Sequence, residues 1–405
     1  MNKFKLVTLL GIRPDYIRMY KLIRLLDEST KKGKLEHVLV HSGQHYDDEL
    51  FGTFLMEFGI RQPDMDLRIG LDLKESGKTG HAYQVSLLSE RVFEMIEKIK
   101  PDAIMYLGDT NTVLSSVAVS RSGVPVIHLE AGGRSFDWRM PEEKNRIVID
   151  HLSDALYSYL PRYKDILVSE GIPDFRVKVI GNIIMDPINE YGHKADESSV
   201  LSDLGIKEKE YILVTLHREE NVSAKEILEN KITDVLRFAK EKNLPVVWPL
   251  MPRTRANIEK YGINHLIEDE RFILTKPLGF FDFLKLEKSA RLVVSDSGTV
   301  QEEPLIVGTP CVIARRSTER PETIEAGATI LEGFEGAETL YNSMVKGWEM
   351  KTNWDRNILN PEGGSPSERA HEDLLNKIRD GYFAESRSQK FIGDNKFVKR
   401  AYGIS

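Results

Sequence analysis

The strongest constraint on the fold is an alternation of short apolar runs with amphipathic stretches along the chain. The run Ala-Ile-Met-Tyr-Leu at residues 103–107, for example, follows a stretch at residues 85–99 whose apolar residues recur at helical spacing. Alternation of this kind predicts a parallel β-sheet covered by helices. The predicted strands of the first half are residues 4–10, 37–41, 103–107, 124–129 and 156–159.

The same alternation starts again after about residue 205, which predicts a second α/β domain. A chain of 405 residues agrees with two domains of similar size. We place the domains at residues 1–188 and 189–378, and assign residues 379–405 to a C-terminal helix and tail. The predicted strands of the second half are residues 211–216, 246–248, 272–274, 292–295 and 311–314, with helices at 226–240 and 280–288.

Composition and charge exclude several classes of function. The net charge is −7 and no cluster of Lys and Arg occurs, which argues against a nucleic-acid partner. No apolar run approaches the roughly 18 residues of a membrane-spanning helix. Cys311 is the only cysteine, so an intrachain disulfide is impossible, and we expect a buried thiol in a cytoplasmic protein.

Polar residues follow many of the predicted strands. In open α/β sheets, ligands bind beyond the carboxyl ends of the strands, so these residues are the candidate site. In the first half they are Arg13, His45, Asp109, Glu130, Glu142 and Arg146. In the second half they are His217, Ser297, Gly298, Glu303 and Arg320.

Several carboxylates in one partly dry site are suited to general acid and base chemistry, because neighbours and desolvation separate their pKa values. Ser297 and Gly298 open a predicted helix, whose free N–H groups can bind a phosphate. Each candidate also has a structural interpretation. Asp109 can cap a helix, Glu142 can sit favourably at a helix N-terminus, and His217 can be an ordinary structural histidine.

The order of the motifs resembles that of the non-hydrolysing UDP-N-acetylglucosamine 2-epimerases. The segments are GIRP, SGQH, GDTNT, HLEAGGR, PEEKNR, TLHREEN, SDSGTVQEE and STERPE. The resemblance implies two Rossmann-like domains facing a central cleft in the glycosyltransferase-B arrangement, a C-terminal helix that returns to the first domain, and a homodimer. It also implies elimination and re-addition of UDP without a metal or another cofactor.

The resemblance assigns roles to individual residues. Asp109, Glu130, Glu142 and His217 are similar to the catalytic residues of the family. Phe280 lies where the family packs an aromatic ring near uracil, and Arg18 stands where the family usually has a lysine. The residues implied to bind UDP or the sugar are Arg13, His45, Arg146, Phe280, Ser297, Gly298, Glu303 and Arg320.

Two substrates and a second class of enzyme stay open at this point. The segments EAGGRSFD and TLHREENV are closer to a branch that forms UDP-N-acetyl-L-fucosamine from its L-talo epimer for surface polysaccharides. The principal expectation is conversion of UDP-N-acetylglucosamine to UDP-N-acetylmannosamine, and the fucosamine-forming reaction is the alternative. Pro14 stands where hydrolysing relatives usually carry Ala, which argues against hydrolysis. A glycosyltransferase of the same architecture is the alternative, although three carboxylates and a histidine favour the epimerase.

Overall fold

The computed structural model describes residues 3–44, 55–333, 336 and 338–386. The chain forms two compact units. Unit 1 contains Met1–Pro187 and Leu359–Ser405, and unit 2 contains Ile188–Ile358. Each unit has its own parallel β-sheet flanked by helices, so the predicted α/β fold with two Rossmann-like domains is confirmed.

The sheet of unit 1 has seven parallel strands within the described residues, in the order β3-β2-β1-β4-β5-β6-β7. The register between the two central strands pairs Leu6 with Ala103 and Leu9 with Tyr106. The strands are β1 (Lys5–Leu10), β2 (Glu36–His41), β3 (Met65–Asp66), β4 (Ala103–Leu107), β5 (Val126–Leu129), β6 (Ala155–Ser158) and β7 (Val177–Val179).

Helices connect the strands of unit 1. A short 3₁₀ helix at Asn111–Ser115 follows β4 and leads directly into the next α-helix. Among the described residues up to β7, the α-helices are α1 (Arg13–Lys31), α2 (Ile69–Ser76), α3 (His81–Ile99), α4 (Ser116–Arg121), α5 (Pro141–Leu152) and α6 (Pro161–Ser169). The boundary between the units falls within the next helix, α7 (Met185–Asp196).

The sheet of unit 2 has six parallel strands in the described part of the chain, in the order β10-β9-β8-β11-β12-β13. These are β8 (Ile212–Thr215), β9 (Val246–Pro249), β10 (Phe272–Thr275), β11 (Leu292–Ser295), β12 (Cys311–Ile313) and β13 (Thr329–Leu331). The helices are α8 (Val200–Asp203), α9 (Glu219–Val222), α10 (Lys225–Lys242), α11 (Pro252–Tyr261), α12 (Phe280–Ser289), α13 (Thr299–Val307), α14 (Pro321–Glu325) and α15 (Leu340–Glu349).

The chain returns to unit 1 at Leu359, earlier than the predicted residue 379. The backbone N–H of Asn182 donates to the carbonyl of Leu359 at 2.8 Å, and Nε of Arg369 donates to the carbonyl of Ile180 at 2.8 Å. These bonds attach the returning segment to the residues that follow β7. Its helices are α16 (Pro366–Arg379), which packs on α1, and α17 (Tyr382–Ser386).

The central strands are buried on both faces, as expected for a parallel sheet covered by helices. Every residue of β4, β5, β8 and β11 is buried, and so is the thiol of Cys311 in β12. Within the described residues, no helix combines the length and apolar character needed to cross a membrane. Each sheet is therefore enclosed by buried apolar clusters of its own unit.

Each sheet reverses its strand order beside its first strand. In unit 1 the reversal lies between β1 and β4, and in unit 2 it lies between β8 and β11. Ligands of doubly wound α/β folds bind at this point, outside the carboxyl ends of the strands. The loops that follow these four strands are therefore the first place to look for function.

Candidate active site

The loop after β4 carries Asp109, whose carboxylate is held by Arg146 of α5. Nε of Arg146 donates to Oδ2 of Asp109 at 2.9 Å, and the same guanidinium forms an ion pair at 2.5 Å with Glu143. Arg146 is buried between the two carboxylates. Thr110, not Asp109, is the residue that precedes the 3₁₀ helix, so helix capping does not explain the aspartate. The structure instead shows Asp109 as an acid fixed by a buried arginine.

Helix α5 also connects this loop to the segment that follows β5. Nδ2 of Asn145 donates to the backbone carbonyl of Asp109 at 2.9 Å. Glu143 accepts hydrogen bonds from the backbone N–H groups of Ser135 and Phe136, both at 2.9 Å. Glu142 lies in the first turn of the same helix, three residues before Asn145, which places both on neighbouring positions of one helix face.

Glu130 lies at the end of β5 and is paired with Arg18 of α1. Nη1 of Arg18 lies 2.6 Å from Oε2 of Glu130, and Nη2 donates to the hydroxyl of Tyr159 at 2.8 Å. The backbone of Glu130 has a φ of 70°, a conformation that non-glycine residues rarely adopt and that is concentrated at functional sites. A Cβ placed on Gly108 would lie 3.3 Å from Oε2 of Glu130, so this carboxylate lies against the loop that carries Asp109.

The loop after β1 lies beside the loop after β4 and close to Arg18. Asp15 accepts hydrogen bonds from the backbone N–H groups of Gly11 at 3.0 Å and Ile12 at 3.1 Å. Burial raises the pKa of Asp15 to about 7, although the two backbone hydrogen bonds and Arg18 lower it. Arg13, the first residue of α1, is partly buried beside this loop. A side chain on Gly11 would collide with Thr112, so the loops after β1 and β4 are in contact.

A buried ionic network lies beneath these loops. The ring of His128 contacts Oδ1 of Asp150 at 2.7 Å and the carbonyl oxygen of Gly108 at 2.8 Å. Nη1 of Arg134 donates to Oδ2 of Asp150 at 2.7 Å, and its remaining nitrogens bind Glu170. The network joins the end of β5, α5 and the residue before Asp109. We interpret His128 and Arg134 as supports for the site, since both are buried.

In unit 2, His217 follows β8 and is oriented by Asp296, which follows β11. Oδ1 of Asp296 lies 3.3 Å from Nδ1 of His217. Asp296 is fully buried and accepts hydrogen bonds from the backbone N–H groups of His217 and Arg218 and from the side-chain amide of Asn221. The imidazole of His217 is 38% exposed, so one of its ring edges can reach a ligand.

Ser297 and Gly298 directly precede α13, so they lie at the start of a helix, as the sequence predicted. Nη1 of Arg320 lies close enough to Gly298 that a Cβ there would approach it to 2.8 Å. Nε of Arg320 forms an ion pair with Glu302 at 2.8 Å, and Arg320 also pairs with Glu319. Two carboxylates therefore hold the Arg320 guanidinium over the start of α13.

The two other predicted residues of unit 2 are buried. Phe280 is the first residue of α12 and packs edge-on against Phe281. Glu303 lies in α13, the helix that starts beside Gly298. In unit 1, His45 and the predicted tail from residue 387 onward lie outside the described residues.

Four supporting residues were not assigned a role from the sequence. Arg18 pairs with Glu130, and Asp296 with His217. Asp15 holds the backbone N–H groups just before Arg13, and Asn221 donates to Asp296. Asp296 could have been predicted as a site residue from the sequence, because it directly follows a buried strand. The pairing of Arg18 with Glu130 could not have been predicted, because the two residues are far apart in the sequence and are brought together only by the fold.

Comparison with known proteins decides the family of the chain. The model of the UDP-N-acetylglucosamine 2-epimerase family matches residues 27–356. The chain belongs to this family. The resemblance seen in the motifs is thereby confirmed, and the chain is an isomerase of the UDP-N-acetylglucosamine 2-epimerase type.

Relatives of this epimerase cover nearly its whole length. A UDP-N-acetylglucosamine 2-epimerase from Methanococcus maripaludis is 35% identical over 90% of this chain and 96% of its own. The crystal structure of the Methanocaldococcus jannaschii UDP-GlcNAc 2-epimerase in complex with UDP-GlcNAc and UDP is 32% identical, with a TM-score of 0.82 over 93% of this chain and 100% of that chain. A UDP-2,3-diacetamido-2,3-dideoxy-D-glucuronate 2-epimerase from Pseudomonas aeruginosa is 34% identical over 81% of this chain and 88% of its own.

Proposed function

We propose that this epimerase inverts C2 of a UDP-linked N-acetylamino sugar, converting UDP-N-acetylglucosamine to UDP-N-acetylmannosamine without net hydrolysis. The observation that carries the proposal is the placement of Asp109 and Glu130 directly beyond the neighbouring strands β4 and β5, each bound to its own buried arginine, with Glu130 against the loop that carries Asp109. The M. jannaschii relative, crystallised with UDP-GlcNAc and UDP, supports the choice of substrate.

The reaction needs groups that move a proton at a carbon that is not acidic. We propose that one carboxylate removes the C2 proton while the C1–O bond to UDP breaks, which leaves a 2-acetamidoglycal and free UDP. A second acid then delivers a proton to the opposite face of C2 as UDP adds back to C1. Asp109, Glu130 and Glu142 are the candidates, and general acid–base catalysis of this kind contributes about 10²–10⁴-fold.

Departure of UDP requires stabilisation of a diphosphate. Backbone N–H groups at the start of α13 and the guanidinium of Arg320 are suited to this, because an anion is stabilised by free N–H groups and by fixed positive charge. His217, held by Asp296, can donate a proton or hydrogen bond to the leaving phosphate. We assign Arg13 and Arg146 to the substrate as well, Phe280 to the uracil and Glu303 to the ribose.

The sugar specificity is open to one alternative that a specific observation favours. The segments EAGGRSFD and TLHREENV resemble the branch that forms UDP-N-acetyl-L-fucosamine from the L-talo epimer. The P. aeruginosa relative also bears the name of a 2-epimerase for a different UDP-sugar. In either case we propose that the product is a precursor of surface polysaccharides, made in the cytoplasm by a homodimer.

The deciding experiment is incubation of the purified protein with UDP-N-acetylglucosamine in D₂O, followed by proton NMR. We expect UDP-N-acetylmannosamine with deuterium at C2. Accumulation of free N-acetylmannosamine and UDP would show hydrolysis and contradict the proposal. If the sugar is unchanged, the same assay with the UDP-linked 2-acetamido-2,6-dideoxy-L-talose isomer tests the alternative. Absence of C2 exchange with both sugars would contradict the epimerase proposal.

A further inference from the structure

A buried carboxyl group in unit 2 has no role in the chemistry described above. Glu287 of α12 is fully inaccessible to solvent, and both of its carboxyl oxygens are buried. Among the described residues, no backbone N–H group or basic side chain donates a hydrogen bond to either oxygen. An ionised carboxylate is strongly unfavourable in such a place, which favours the neutral form of Glu287.

The surroundings of Glu287 on its own helix are apolar. Its neighbours Leu286 and Ala290 belong to a buried cluster that also contains Val293 and Val300. The thiol of Cys311 is also buried nearby, and burial, followed by the neighbouring carboxyl group of Glu287, raises the pKa of this thiol. Apolar side chains and a neutral thiol cannot neutralise a negative charge.

The polar group that Glu287 does face is Glu303 of α13, which packs against α12. Glu303 is itself buried, and its carboxyl group acts on that of Glu287 both through its charge and as a hydrogen-bond partner. Burial, and then the charge of Glu303, raise the pKa of Glu287 well above its usual range. Two neighbouring carboxylates in a buried place disfavour each other's ionisation, so burial and Glu303 together favour the neutral acid form of Glu287.

We propose that Glu287 is a positioning residue whose carboxylic acid donates a hydrogen bond to Glu303 and orients that carboxylate toward the ribose hydroxyls of bound UDP. The inference rests on the proposed function, which assigns Glu303 to the ribose. A carboxylate has about four acceptor sites, so one bond from Glu287 leaves enough for two hydroxyl groups. The pair Glu287–Glu303 then acts as one unit in nucleotide recognition.

The test measures how tightly two variants of Glu287 bind UDP and an analogue of UDP that lacks the ribose hydroxyls. Glu287→Gln keeps a hydrogen-bond donor of similar shape, whereas Glu287→Met removes the donor and keeps the length of the side chain. The dissociation constants of UDP and of 2′,3′-dideoxyuridine diphosphate are measured by calorimetry for each protein. We expect Glu287→Met to weaken UDP binding about tenfold, as for loss of an oriented hydrogen bond, without weakening the dideoxy analogue. Glu287→Gln should stay within about twofold of the wild type for both.

Equal weakening of both nucleotides by Glu287→Met would show a general packing role and overturn the proposal, as would unchanged binding of UDP. Glu287→Leu serves the same comparison if the Met variant does not fold. Glu303→Gln separates this inference from the proposed function. If Glu303→Gln also fails to distinguish UDP from its dideoxy analogue, the ribose assignment itself is wrong. If Glu303→Gln distinguishes them and Glu287→Met does not, only the role of Glu287 is wrong.

Discussion

Asp296 and His217 are 79 residues apart in the chain, yet Oδ1 of Asp296 lies 3.3 Å from Nδ1 of His217. They meet because β8 and β11 are neighbouring strands whose last residues, Thr215 and Ser295, are paired in register. Asp296 also binds the backbone N–H groups of His217 and Arg218. A single buried carboxylate therefore sets both the position of the loop and the orientation of the imidazole.

Replacement of Asp296 by Asn should impair catalysis more than nucleotide binding. The amide is neutral and has one acceptor oxygen in place of two, so it cannot bind the imidazole and the loop N–H groups together. We expect kcat to fall by about 10- to 100-fold, the range known for partners that orient metal-bound histidines, because the imidazole of His217 loses a comparable support. The measurement is initial-rate kinetics by NMR with circular dichroism of the folded variant. An unchanged kcat would show that His217 does not depend on this contact.

The carboxylate Asp109 and the imidazole His217 should each be needed for turnover. We expect Asp109→Asn and His217→Asn to lower kcat by about 10²-fold or more, since each removes a group suited to proton transfer. Two exposed residues provide matched controls in the same units, Asp174→Asn and His265→Asn. Both controls should retain wild-type kcat. Near-normal turnover of the two site variants would contradict their assigned roles.

Asp15 should make the stability of the protein depend on pH in an unusual direction. Burial raises its pKa in the folded state from 3.8 to about 7, so between these values the folded protein binds the extra proton. Its stabilising contribution is therefore complete below about pH 4 and is lost as the pH rises through about 7. Asp15→Asn keeps an acceptor for the N–H groups of Gly11 and Ile12 and does not titrate.

The measurement is the free energy of unfolding of wild type and Asp15→Asn in urea between pH 5 and pH 7. The difference between them should shift in favour of the variant as the pH rises, by up to about 1.4 kcal/mol per pH unit. Titrations of other groups occur in both proteins and cancel in the difference. A difference that does not change with pH would show that Asp15 is ionised throughout this range.

Asp150 should be important for folding stability. Its carboxylate is fully buried and bound to both His128 and Arg134, which together hold down the pKa of the aspartate against the effect of burial. Asp150→Ala leaves the buried guanidinium of Arg134 with one carboxylate fewer, which we expect to cost about 3–5 kcal/mol. Asp165→Ala on the exposed face of α6 is the control and should change stability by less than about 0.5 kcal/mol. The measurement is the free energy of unfolding of both variants and the wild type by chemical denaturation. If Asp150→Ala is as stable as Asp165→Ala, the network does not support the fold.

Most strands of the two sheets could be predicted from apolar runs in the sequence. All the predicted strands are present, and the limits of β4 and β11 agree with prediction to the residue. The strands that were missed, β3, β7 and β13, all lie at sheet edges and have two or three residues. Central strands need long apolar runs because both faces are buried, whereas such short edge strands carry no comparable pattern.

The sequence by itself determined the fold class, the family and the residue types that follow the strands. Those features are local, since apolar runs, strand-end loops and motif order can be read along the chain. Only the tertiary structure decided which of these groups meet: Glu130 with Arg18, Asp109 with Arg146, and His217 with Asp296. Each pair joins residues on different elements that are separated along the chain. They meet because the order of the parallel strands brings distant loops to one edge of the sheet, and that order is set by the packing of the whole unit.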